Sequence, residues 1–76
     1  MRYTITVALN DGGCAEYEES SGRRAGIVAR RLRHDYGTTA KSITVSRGVW
    51  DNDTEEILIY RRDNNGNGRE WHRAAI

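Results

Sequence analysis

The chain lacks proline and phenylalanine altogether, and its 76 residues include a single cysteine. Without proline it offers neither a rigid linker nor a polyproline ligand. One cysteine cannot form an intramolecular disulfide, so a disulfide-stapled secreted domain is excluded and a cytoplasmic location is favoured. No apolar run approaches the length of a membrane span and no signal-peptide core is evident, so we expect a soluble protein without a membrane partner.

The short length predicts one domain over residues 1–76. A chain of this size buries only about 60% of the surface that its unfolded form exposes. Hydrophobic residues make up 37% of the sequence. We therefore expect a thin core of isoleucine, valine and leucine with a few aromatic side chains.

The formal net charge of +1 conceals an uneven distribution of charge. Five arginines and one acid, Asp35, lie between Ser20 and Gly37, whereas most acidic residues lie elsewhere. A dipolar chain of this kind argues against bulk, nonspecific coating of nucleic acid.

Residues 20–37 predict the one amphipathic helix. Apolar residues at helical spacing form a single stripe, which consists of Ala25, Val28, Ala29, Leu32 and Tyr36. Ser20 or Ser21 can cap the beginning of the helix, and Gly37 suits its end. Gly26 inside the helix is either a tolerated defect or a point of close approach for a partner.

Alternating residues and turn signals predict five strands, at Arg2 to Leu9, Cys14 to Glu18, Lys41 to Arg47, Glu55 to Arg62 and Arg69 to Ala75. The predicted fold class is α+β, with the order β-β-α-β-β-β and an antiparallel sheet of four to five strands that carries the helix on one face. In the fourth strand we expect Ile57 and Ile59 to point inward. The open face is then expected to present Thr4, Thr6, Thr44, Ser46, Leu58 and Tyr60.

The polar face of the helix is the first candidate binding surface. An isoleucine among cations is typical of an interface centre, and the residues concerned are Arg23, Ile27, Arg30, Arg31 and His34. The alternative is a solvated helix face with one exposed isoleucine.

A second candidate surface combines aromatic and basic residues near the C-terminus, namely Tyr60, Arg62, Trp71 and Arg73. Exposed aromatic rings beside arginines can stack on bases. The alternative is that these rings close the edge of a small core and need no ligand.

Metal binding and catalysis are not indicated. The run Asp63 to Gly68 resembles the start of a calcium loop, but Ala74 stands where a bidentate glutamate is required. Cys14, His34 and His72 fit no nucleophile or zinc motif. We therefore expect no metal, no cofactor and no enzymatic activity.

The layout resembles that of small phage-encoded anti-CRISPR proteins. The features that carry the resemblance are MRYTITV, GRRAGIVARRLR, TAKSITVSRG, EILIYRR and GREWHR. The resemblance lies in topology and covers nearly the whole chain. It implies a non-enzymatic inhibitor, encoded by a phage or mobile element, that docks on a CRISPR effector in the host cytoplasm.

Two classes of function therefore stand, with a third behind them. In the first, the helix docks on an acidic protein surface or a nucleoprotein complex and inhibits it. In the second, a small nucleic-acid-binding domain contacts phosphates with the same arginines. The third is a structural accessory subunit, or a homodimer whose edge strands pair. The sequence leaves open whether the chain is a monomer or a homodimer.

Overall fold

The computed structural model describes residues 2–50, 53–62, 68 and 70–74. The predicted α+β fold class is confirmed. The elements in chain order are β1 Tyr3–Leu9, β2 Cys14–Glu19, α1 Gly22–Tyr36, β3 Ala40–Trp50, β4 Asp53–Arg62 and β5 Trp71–Ala74. Most of the run that resembles the start of a calcium loop, residues 63–67, lies outside the described residues.

All five strands form one antiparallel sheet in the order β2-β1-β3-β4-β5. The hairpin that joins β1 and β2 closes through the N–H groups of Leu9 and Gly12, which donate to Gly13 and Leu9 respectively. The strand order puts β2, with the exposed Glu16 and Glu18, at one edge, and β5, with Arg73, at the other.

The core lies between α1 and the two central strands. Ile5 faces Val45 and Val7 faces Ile43 across the β1–β3 ladder, and these four are the largest fully buried side chains. Burying each of them stabilises the fold by about 1.5–3 kcal/mol. The helix adds small residues, Ala25 and Ala29, and Leu32, so its backbone can lie close to the sheet.

Both ends of α1 form as the sequence predicts. Ser21 is the N-cap, with extended backbone, and its hydroxyl accepts a hydrogen bond from the Arg24 N–H at 3.4 Å. At the other end Gly37 has φ 56° and donates its N–H to the Arg33 carbonyl at 3.2 Å. Only glycine adopts this backbone conformation without strain.

The expected orientation of three side chains of β4, those of Leu58, Ile59 and Tyr60, is wrong. Tyr60 lies opposite Ile43 and Leu58 lies opposite Val45, so both occupy the helix side of the sheet. Ile59 pairs with Thr44 and takes the other face. Four consecutive apolar residues carry no alternation, so the ladder with β3 decides which of them face the helix.

A β-bulge at Ile57 completes the arrangement. Val45 pairs with Leu58 while its neighbour Ser46 pairs with Glu56, which leaves Ile57 as the extra residue. A bulge redirects side chains locally, and here Ile57 packs against the core beside Leu58. The expectation that Ile57 points inward is confirmed.

The open face of the sheet is polar at its centre. Thr4 pairs with Ser46 and Thr6 with Thr44, and all four lie on the face away from the helix, as predicted. They are half-buried there. No helix in the described part of the chain is long and apolar enough to cross a membrane.

Candidate partner-docking site

A groove runs between α1 and the strands that the helix does not cover. The helix packs mainly over β3 and β1 and touches β2, so β4 and β5 extend past its far side. The space between has a volume of about 360 Å³. On the sheet side, Ile57, Leu58, Tyr60 and Arg73 line this helix–β4 groove. On the helix side the wall is Gly22, Arg23, Gly26, Ile27 and Arg30.

The groove joins the two surfaces that the sequence left separate. Arg23, Ile27 and Arg30 come from the first candidate set, and Tyr60 and Arg73 from the second. They meet because α1 residues at positions i, i+4 and i+7 lie along the side of the helix beside β4. Tyr60 lies on this side of the sheet because it pairs with Ile43 of β3.

The arginines of α1 fall into two groups. Arg24 lies 3.7 Å from a Glu19 carboxylate oxygen, and Arg31 lies 3.8 Å from an oxygen of Asp35. Within the described residues, Arg23 and Arg30 have no carboxylate partner, and both are exposed. The positive potential of the helix is therefore least compensated along the groove.

Ile27 lies between Arg23 and Arg30 on α1. It is 58% exposed, more than any other large hydrophobic side chain that the structure describes. Its neighbour in the groove, Leu58, is half-buried. An apolar centre flanked by arginines is the composition that protein interfaces favour.

Arg33 contacts the ring of Tyr60, one of the residues that line the groove. The guanidinium carbon of Arg33 lies 4.8 Å from the centroid of the Tyr60 ring, within the range of a cation–π interaction. Tyr60 is only 7% exposed and belongs to the core cluster. Its ring is therefore part of the floor of the groove and not an open stacking platform.

Arg31 and His34 lie away from the groove. Arg31 points toward Asp35, one turn further along the helix. His34 lines a separate hollow of about 350 Å³ with Arg33, Thr38, Glu70 and Trp71. The five residues of the first candidate set therefore do not form one surface.

Trp71 contacts the C-terminal end of α1. It is half-buried, packs against the core cluster, and its indole N–H donates to the Gly37 carbonyl at 3.3 Å. This arrangement is the one that the core-edge alternative describes for the aromatic residues.

Arg62 serves the fold and is not on a surface. It is 5% exposed, and its guanidinium donates to the carbonyls of Ala40 and Gly68 and, at 2.9 Å, to Oδ1 of Asn10. Asn10 in turn donates its side-chain N–H to Thr38. Arg62 lies on the helix side of the sheet because it follows Tyr60 by two residues in the same strand. The expected orientation of β4 would place both residues on the opposite face.

Two apolar residues of the groove, Ile57 and Leu58, belong to neither of the surfaces predicted from the sequence. They belong to the uninterrupted run Ile57 to Tyr60, in which no residue signals its own face. The bulge and the strand pairing are not visible in that run.

The described residues contain no group of three histidine, cysteine or acidic side chains that could hold a metal ion. Among them, Cys14 is exposed and in no disulfide. Comparison of the chain with protein-family models, with curated proteins and with solved structures gave no match.

Proposed function

We propose that this chain is a non-enzymatic binding protein that docks on an acidic surface of a partner protein through Arg23, Ile27 and Arg30. One observation carries the proposal. An exposed isoleucine stands between two arginines that lack carboxylate partners in the described part of the chain, whereas Arg24 and Arg31 of the same helix lie beside carboxylates and Arg33 lies over the Tyr60 ring.

The apolar character of the site favours a protein over a nucleic acid. A phosphate backbone would be contacted by guanidinium groups alone and would leave Ile27 unused. An acidic protein surface can satisfy the arginines and also bury the isoleucine. The acidic β2 edge, with Glu16 and Glu18, would also repel a long polyanion that extended across the sheet.

The narrower expectation from the resemblance to anti-CRISPR proteins is that the partner is a CRISPR effector and that docking inhibits it. That expectation remains a prediction, and so does direct binding of nucleic acid.

The test compares two defined probes of opposite class by fluorescence anisotropy at physiological salt. The first is a fluorescein-labelled acidic peptide with one apolar residue, Asp-Glu-Asp-Leu-Glu-Asp-Glu, and the second is a labelled DNA duplex. We expect the peptide to bind more tightly than the duplex. Replacement of Arg23 and Arg30 by glutamine should weaken peptide binding about tenfold, as the loss of two charge pairs worth about 1.4 kcal/mol together would do.

The chain provides a matched control in Arg24→Gln with Arg31→Gln. This double variant removes the same charge from the same helix, but from residues that already face Glu19 and Asp35. Peptide affinity within about twofold of the unmodified protein supports the proposal. Equal losses in both double variants, or tighter binding of the duplex, would refute it.

A further inference from the structure

The helix–β4 groove has a floor that the proposed function does not use. Arg23, Ile27 and Arg30 line its helix side, and Ile57, Leu58 and Tyr60 of β4 form its apolar floor. The three floor residues pack in or against the core cluster. An apolar floor beneath charged walls suits one inserted side chain of a partner.

Gly26 opens this floor from the helix side. A Cβ built on Gly26 would meet no atom within 4 Å, so no contact inside the protein requires glycine there. Gly22, one turn earlier, differs, since a Cβ at that position would lie 3.1 Å from the ring of Tyr3. Alanine would favour the helix at position 26 and would also reduce the space in the groove.

Cations stand on both sides of the opening. Arg23 and Arg30 flank Gly26 on the helix, and Arg73 rises from β5 across the groove. Arg73 is exposed and has no ion pair with any described residue. A chain that lies along the groove would therefore meet positive charge on either side of its central side chain.

We propose that the groove receives an acidic peptide segment of a partner protein, whose single apolar side chain inserts beside Leu58 while the segment runs along the groove past Gly26 of α1. Carboxylates on either side of that apolar residue pair with Arg23 and Arg30 on the helix and with Arg73 on the sheet. The inference rests on the proposed function, which it deepens by naming the chemistry and the path of the occupant.

The test maps binding on ¹⁵N-labelled protein by NMR, with the acidic peptide named above and a second peptide in which serine replaces its leucine. The leucine peptide shifts the amide signals of Gly26, Leu58 and Arg73, and the serine peptide binds at least about fivefold more weakly. Gly26→Leu fills the groove and lowers the affinity for the leucine peptide about tenfold. Thermal unfolding of the same variant, at a midpoint no lower than that of the unmodified protein, shows that the fold is intact.

Gly26→Ala is the matched variant, because its smaller side chain removes less of the space. Its affinity lies between those of the unmodified protein and Gly26→Leu. If Gly26→Leu lowers the unfolding midpoint, Leu58→Thr replaces it, and a loss of the preference for the leucine peptide is then the expected result.

The outcomes separate this inference from the function on which it rests. Binding of both peptides with equal affinity, or shifts confined to Arg23, Ile27 and Arg30, would overturn the groove and leave the docking function standing. Absence of any peptide binding would overturn both. Stronger shifts with a DNA oligonucleotide than with either peptide would replace both by the nucleic-acid alternative.

Discussion

The guanidinium of Arg33 lies over the ring of Tyr60, with 4.8 Å between the Arg33 carbon and the ring centroid. This contact joins the last turns of α1 to β4, the strand beside which the helix leaves the groove open. Tyr60 also belongs to the core cluster, so the contact links Arg33 to the core.

A double-mutant cycle should measure this contact. We expect Arg33→Gln and Tyr60→Leu to show a coupling free energy of about 0.5–1 kcal/mol in urea unfolding, which is the range for a partly exposed cation–π pair. Arg30→Gln with Tyr60→Leu serves as the control, because Arg30 lines the same groove without a described ring contact. Equal coupling in the two cycles would contradict a specific interaction of Arg33 with the ring.

Arg62 should be one of the most sensitive polar residues of the fold. Arg62→Met leaves three acceptors without their charged donor, namely the carbonyls of the buried Ala40 and the half-buried Gly68 and Oδ1 of the exposed Asn10. We expect a loss of about 2–4 kcal/mol in the free energy of unfolding.

The geometry of the donor matters as well as its charge. Arg62→Lys should recover little of this loss, because one ammonium group cannot reach acceptors in three directions as the guanidinium does. Arg61→Met, at the exposed neighbouring position, is the control and should change stability by less than about 0.5 kcal/mol. Full stability of the lysine variant would show that the three hydrogen bonds are not what Arg62 contributes.

Gly26 within α1 and Gly37 at its C-terminal cap should respond to alanine in opposite directions. Gly26→Ala should raise the free energy of unfolding by about 0.5–1 kcal/mol, because alanine is the better helix former and its Cβ has open space. Gly37→Ala should lower it by about 1–2 kcal/mol, because the residue has φ 56°. Thermal and urea unfolding of the two variants, measured side by side, checks both signs. Destabilisation by Gly26→Ala would mean that the helix requires glycine for its own packing.

The hydroxyl groups of Tyr17 and Tyr36 should make stability depend on alkaline pH. They lie 2.7 Å apart and tie β2 to the end of α1. The hydrogen bond to Tyr17, with smaller contributions from burial and from the Tyr17 charge, raises the pKa of Tyr36 above its usual value. A raised pKa means that the folded state favours the neutral phenol. The resulting stability is fully present below the unfolded pKa of about 10 and is lost as the pH rises through the folded pKa.

Tyr17→Phe removes this hydrogen bond and should abolish that dependence. We expect the difference in unfolding free energy between the unmodified protein and Tyr17→Phe to shrink as the pH is raised from about 9 to about 11. The titration of Tyr36, followed by tyrosine absorbance, should shift to lower pH in the variant. A difference in stability that is constant over this range would contradict the linkage.

Much of the architecture could be predicted because each element carries its own local signal. Tyr3–Leu9 alternates strictly, and α1 has a helical stripe, a serine cap and a terminal glycine. The stripe predicted for the core is the one that the structure buries, at Ala25, Ala29 and Leu32. These features depend on neighbours in the sequence, so the sequence alone reveals them.

The composition of the groove depends on strand pairing between distant parts of the chain. Ile57 to Tyr60 is apolar on both faces, so only the ladder with β3 and the bulge at Ile57 determine that Leu58 and Tyr60 lie on the helix side of the sheet. The burial of Arg62 has the same origin, because its acceptors come from residues 10, 40 and 68. The sequence by itself determined that α1 has an apolar face and a cationic face. The tertiary structure decided which of its arginines border an apolar floor, because that depends on where the helix crosses the sheet.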